Sequence, residues 1–105
     1  MPKLLPWEQL QEDVQRALII IEDSAKISIG SGSVKGNGDV QSPTFMAECK
    51  LRSTDGFTIN RSVYKKVCCE AALLGKIPLL VNRNKRNETM VTLSLKDFVT
   101  AMRTF

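Results

Sequence analysis

Leu10, Val14, Leu18 and Ile21 recur at the three- and four-residue intervals of an α-helix, with Trp7 and Ala17 near the same stripe. This periodicity predicts an amphipathic helix over about residues 7 to 22. Pro6 suits its first turn, and Glu8, Glu12 and Asp13 favour its N-terminal half. Gln9, Glu12 or Asp13, and Arg16 fall on its outer face. The period then shortens to two. Ile27 and Ile29 flank Ser28 in a brief strand that stops at the glycine-rich run from Gly30 to Gly38. Gly38-Asp39-Val40 reads as extended and Gln41-Ser42-Pro43 as a turn. From Phe45 to Leu51 the chain alternates as a strand with two different faces. Phe45, Ala47, Cys49 and Leu51 make a core face, and Met46, Glu48 and Lys50 make the other.

Arg52 to Asn60 is polar and rich in turn residues. Val63, Val67, Ala71 and Leu74 return to helical spacing and predict a second helix from about Ser62 to Leu74, ended by Gly75. Ile77-Pro78-Leu79-Leu80-Val81 is continuously apolar, the pattern of a strand covered on both faces. Asn82 to Asn87 reads as a basic turn, and Val91, Leu93 and Leu95 alternate with Met90, Thr92 and Ser94 in a final strand. Ser94 and Asp97 have the spacing of a cap for a last short helix near Lys96 to Met102. The order α-β-β-β-α-β-β-α predicts an α/β fold: a small mixed sheet flanked by helices, in one domain over residues 1–105.

At 105 residues the core is modest and leaves a role for a partner in completing burial. The 43% hydrophobic and 25% charged content is that of a folded protein, and no apolar run is long enough for a bilayer. The opening MPKLLPWEQLQ reaches acidic and amide residues too early for a signal peptide, so a cytoplasmic setting is expected. Cys49, Cys68 and Cys69 form no CxxC and read as small buried side chains in a reducing compartment. The chain has no histidine, which excludes a Cys/His zinc finger, a histidine-bound zinc hydrolase and a Ser-His-Asp triad. A net charge of +4 favours a polyanionic partner.

Chemistry concentrates between Asp39 and Lys50. On a strand Glu48 and Lys50 point the same way, and the tight turn brings Asp39 against them from the neighbouring strand. Two carboxylates beside a lysine suit a hard divalent cation. Mg²⁺ between Asp39 and Glu48 would neutralise a phosphate oxygen and acidify a bound water, with the backbone carbonyl of Cys49 as a further ligand. Lys50 would hold the water or offset transition-state charge. The ordinary alternatives are an exposed Glu48–Lys50 ion pair and a turn role for Asp39. The glycine-rich loop is not a Walker sequence. It is either a plain connection or a segment whose amides and serines approach phosphates. Lys35, Arg52, Arg61, Lys65, Lys66, Arg83, Lys85 and Arg86 lie on both sides of the centre and fit phosphate tracking without base readout.

GSGSVKGNGDV, MAECK, and EAALLGK with IPLLV behind it resemble the PD-(D/E)xK nuclease superfamily, and within it the small archaeal-type Holliday junction resolvases and their phage relatives. The resemblance spans about residues 7 to 81. It implies a restriction-endonuclease-like fold with the metal-binding aspartate at Asp39, here after glycine rather than proline. The second carboxylate falls on Glu48 and the lysine on Lys50. It also implies a glutamate from the first helix, Glu12 or, one turn earlier, Glu8, which would complete the coordination or hold a second ion. The catalytic-loop serine falls on Ser31 or Ser33. The implied activity is Mg²⁺-dependent resolution of four-way DNA junctions, with Mn²⁺ able to substitute, in DNA recombination and repair in a bacterial, archaeal or phage-infected cell. Two symmetry-related scissile strands call for a two-fold homodimer, for which Leu95, Phe98, Met102 and Phe105 offer an apolar surface. Two other outcomes share the residues: a phage-type nuclease acting on flaps, nicks or ends, and a non-catalytic DNA-binding relative.

Overall fold

The computed structural model describes residues 3–28 and 39–105. Its elements are helix α1 (Pro6–Ile21), strands β1 (Lys26–Ile27), β2 (Val40–Gln41) and β3 (Phe45–Leu51), helix α2 (Arg61–Leu73), strands β4 (Ile77–Arg83) and β5 (Thr89–Thr92), and helix α3 (Leu95–Thr104). The expected order of elements is the observed one. The strands form a single sheet in chain order, antiparallel throughout except for the parallel pair β3–β4. A parallel pair needs a crossover, and α2 supplies it.

Side chains near the helix ends explain where the helices begin and stop. Glu8 accepts the Leu5 backbone N–H at 2.9 Å in front of Pro6, giving α1 its start. Asn60 Oδ1 accepts from the Ser62 and Val63 amides and starts α2. Beyond Leu74 the chain turns at Gly75 with φ of 67°, while Gly75 N–H reaches Ala72 O and Lys76 N–H reaches Ala71 O. That glycine-dependent ending aims the chain straight into β4. Ser94 Oγ accepts the Asp97 N–H at 3.0 Å and starts α3, as its spacing predicted.

The sheet is covered on both faces. Val40, Phe45, Ala47, Leu79 and Val81 pack with Leu10, Val14 and Leu18 of α1 and Ala101 of α3. Met46 points the other way, into Val67 and Ala71 of α2. Glu48 and Lys50, further along that second face, are half-buried while Met46 is fully buried. The face of Met46, Glu48 and Lys50 is therefore capped by α2 at its start and opens only from Glu48 onward.

Several expected core positions lie outside the core. Trp7 and Ile21 are 51% and 49% exposed, and Ala17 is exposed as well. The ends of α1 run past the packed stripe, which narrows to Leu10, Val14 and Leu18. Asn82 and Arg83 belong to β4 rather than to a basic turn, because β4 pairs with β3 on one side and β5 on the other through Arg83. The turn is organised by buried Asn84, whose Oδ1 accepts the Arg86 and Glu88 amides at 3.0 and 2.9 Å, with Asn87 at φ 62°. Among the described residues no helix is long and apolar enough to cross a membrane.

Candidate active site

The β2–β3 hairpin brings the carboxylates together. Val40 pairs with Ala47 and Gln41 with Met46, so the same register carried one step further sets Asp39 opposite Glu48. Alternation places both on the α2 face. The Cys49 backbone N–H donates to Asp39 Oδ2 at 2.7 Å and fixes that carboxylate against β3. Lys50 Nζ lies 3.8 Å from Glu48 Oε2.

Electrostatics mark this pair out. Burial first, then a hydrogen bond with Asp39 and its negative charge, push Glu48 up to about 7, against the pull of Lys50. A second carboxylate held this close disfavours ionisation of Glu48, which keeps its proton up to near neutral pH. Glu70 of α2 adds further negative charge at Glu48 and is itself paired with Lys66 at 3.9 Å. Sequence reading did not single out Glu70. Its signal was the four-residue spacing to Lys66 on a helix that crosses over the Glu48 face. Burial, then Asp39 and Glu48, hold the Cys49 thiol well above its ordinary range, so its sulfur stays protonated. Opposite Lys50 in the β3–β4 register, Asn82 is buried, its Oδ1 accepting from Arg52 Nε at 3.1 Å and its Nδ2 without a partner among the described residues.

The structure thus brings Asp39, Glu48, Cys49 and Lys50 together. Glu12 pairs with Arg16 at 3.8 Å, and Glu8 accepts the Leu5 amide. The apolar stripe of their helix packs on the Ala47 face, opposite to that of Glu48. Ser31, Ser33 and Lys35 lie outside the described residues. Among the described residues, no group of three or more His, Cys, Asp or Glu side chains is placed to hold a metal ion.

The basic residues divide by what they touch. Arg61, Lys65 and Lys85 are exposed, Arg86 lies 3.4 Å from Asp55 on the surface, and Lys66 turns to Glu70. Arg83 differs. Its side chain is 15% exposed, bonded through Nη2 to Asp13 at 2.9 Å and through Nε to Thr89 Oγ1 at 2.9 Å. Burial raises the Asp13 proton affinity, but hydrogen bonds from Gln9 and Arg83 and the charges of Arg83 and Arg16 outweigh it and hold the carboxyl below its usual value. Arg83 ties α1 to the β4–β5 hairpin. Arg83→Ala should cost about 2 kcal/mol of stability in chemical denaturation. An unchanged denaturation midpoint would mean that the Asp13 contact contributes nothing to the fold.

No protein-family model matches the chain, and no curated protein matches it. Among solved structures, the 1.6 Å structure of Hjc, a Holliday junction resolvase from the archaeal hyperthermophile Archaeoglobus fulgidus, superposes with a TM-score of 0.56. Sequence identity is 16%, over 77% of this chain and 73% of that one. The likeness is one of fold.

Proposed function

We propose that the chain is a metal-dependent, structure-selective DNA endonuclease that resolves four-way junctions as a homodimer. The observation that carries this reading is the Asp39–Glu48 contact beside Lys50, on a resolvase-like fold. The residues fit a hard cation. Two carboxyl groups are pressed together at the cost of ionising one of them, and a divalent ion between them relieves that repulsion. Asp39, Glu48 and the Cys49 carbonyl would hold Mg²⁺, or Mn²⁺ in its place, and such an ion supplies charge neutralisation and an acidified water.

The chain's own groups do the rest. The Cys49 amide keeps the Asp39 carboxylate aimed at Glu48. Glu48 gives up its proton when the cation binds. Lys50 holds the attacking water and offsets the charge that builds on the phosphorane-like transition state. Glu12 or Glu8, and Ser31 or Ser33, are further contributors to the reading, as are Arg52, Arg61, Lys65, Lys66, Lys85 and Arg86 along the DNA backbone. An apolar surface supports the homodimer. Leu95 is 77% exposed and Met102 and Phe105 are each 59% exposed on α3 and at its end, while Met90 and Val91 are half exposed on edge strand β5.

The test is cleavage of an immobile four-way junction compared with flaps, ends and plain duplex, with and without Mg²⁺. Paired nicks in the junction, dependent on Mg²⁺ and lost in Lys50→Ala with binding retained, are expected. Preferential cutting of flaps or ends would move the substrate, and binding without cleavage by the wild type would leave a DNA-binding protein.

A further inference from the structure

A second cationic site lies two residues from the carboxylate pair. Lys26 pairs with Gln41 in the β1–β2 register, so the two side chains share a face. Lys76 Nζ donates to Gln41 Oε1 at 2.9 Å from the start of β4. Together with Ser24, Ser42 and Pro43 these residues line an open cavity of about 250 Å³. Gln41 and Asp39 are on the same side of the hairpin, since the Ser28 amide still donates to Asp39 O at 2.9 Å and carries the ladder past Val40. Two residues of extended strand advance about 6.7 Å, the scale of one step between phosphates of a nucleic-acid strand. The helix α2 covers β3 and β4 on this face. The polar row from Lys26 and Lys76 through Gln41 to Asp39, Glu48 and Lys50 therefore runs beside the helix.

Glu22 is bonded to the cavity wall at Ser42. Glu22 accepts from Ser42 Oγ at 2.5 Å, from Thr44 N at 2.8 Å and from Thr44 Oγ1 at 2.7 Å. Burial raises its proton affinity, and those hydrogen bonds with the Lys76 charge more than reverse the effect. Glu22 is thus committed to holding the β2–β3 turn to the end of α1, and its oxygens are engaged there. The two ammonium groups flank a cavity bordered by the Ser24 hydroxyl and the Gln41 amide, the chemistry of a phosphate site.

We propose that Lys26 and Lys76, with Gln41 between them, bind the backbone phosphate next to the one held at Asp39, Glu48 and Lys50. This rests on the nuclease reading and adds a strand-positioning site to it. It gives the cleaved strand two fixed points, so that the reacting phosphate is set in register by its neighbour.

The test is binding of a four-way junction in EDTA across a salt series, for wild type, Lys26→Met, Lys76→Met, the double variant and Lys96→Met on α3 as control. The double variant should lower the slope of log K against log salt by about 0.9, the value of one lost phosphate, and Lys96→Met should not. A neutral methylphosphonate beside the scissile position should weaken the wild type and leave the double variant unaffected. Lys26 sits at an exposed strand position, so Lys26→Met alone carries the test if loss of the Lys76–Gln41 bond unfolds the protein. Unchanged affinity and slope in a folded Lys26 or double variant overturns the site, as does a methylphosphonate effect of equal size in both proteins. Failure of the wild type and the Lys96 variant to bind any DNA overturns the nuclease reading itself.

Discussion

If the chain is the nuclease proposed above, Glu48→Gln will abolish its metal-dependent cleavage; in the metal-free protein it will raise stability above neutral pH. Partners one shell removed from a metal are worth about 10–100-fold, and a direct ligand at least as much, so a rate loss of at least about 100-fold is expected. The stability effect follows from the proton. Folding raises the Glu48 value from an ordinary 4.5 to about 7, mainly through burial and Asp39. The folded state therefore binds this proton more tightly than the unfolded chain does. Its contribution is complete below the ordinary value and disappears as pH rises through about 7. The amide is neutral at every pH and removes that loss. Urea denaturation in EDTA at pH 5 and pH 8.5 should show a variant advantage that is larger at the higher pH. A difference that does not change with pH would mean that Glu48 is not burdened by its surroundings.

Leu80→Ala will cost about 3 kcal/mol, in the range of 2–5 for truncating a buried leucine. Leu80 is fully buried in the central strand β4 and lies opposite Glu48 in the β3–β4 register. The second effect is electrostatic. Burial is the largest cause of the raised Glu48 value, and Leu80 is its neighbour across the β3–β4 pair. The cavity left by truncation admits water beside the carboxyl and moves its pKa back toward 4.5. Denaturation measures the first effect, and a carboxyl-carbon titration of Glu48 measures the second. A destabilised protein whose Glu48 still titrates near 7 would assign the shift to Asp39 rather than to burial.

The parts of this molecule that depend on neighbours in sequence were legible without coordinates. Leu10, Val14 and Leu18 gave α1, the alternation from Phe45 to Leu51 gave β3, and Gly75 and Ser94 marked helix ends, because each signal sits within one or two turns of chain. The Asp39–Glu48–Lys50 cluster was legible for the same reason. A single hairpin joins the three residues, and its register follows from a period of two. Interactions across the chain were not. Met46 is buried because α2 returns over its face, which no pattern inside β3 reports. Arg83 reads as one more surface cation until α1 delivers Asp13 to it. The Glu12–Arg16 pair, by contrast, is local to α1 and has the four-residue spacing of helix neighbours. Glu70 reaches Glu48 only through the crossover.

In the proposed nuclease, Asp39 and Glu48 form one cation site, and a proton on Glu48 occupies it up to near neutral pH. Calorimetric titration with Mn²⁺ at pH 6, in two buffers of different ionisation enthalpy, tests it directly. Glu48 is mostly protonated at that pH, so binding should release close to one proton, falling toward none at pH 8.5 and absent in Glu48→Gln. Ion binding that releases no proton at pH 6, or that is unchanged in affinity in both Asp39→Asn and Glu48→Gln, would contradict it.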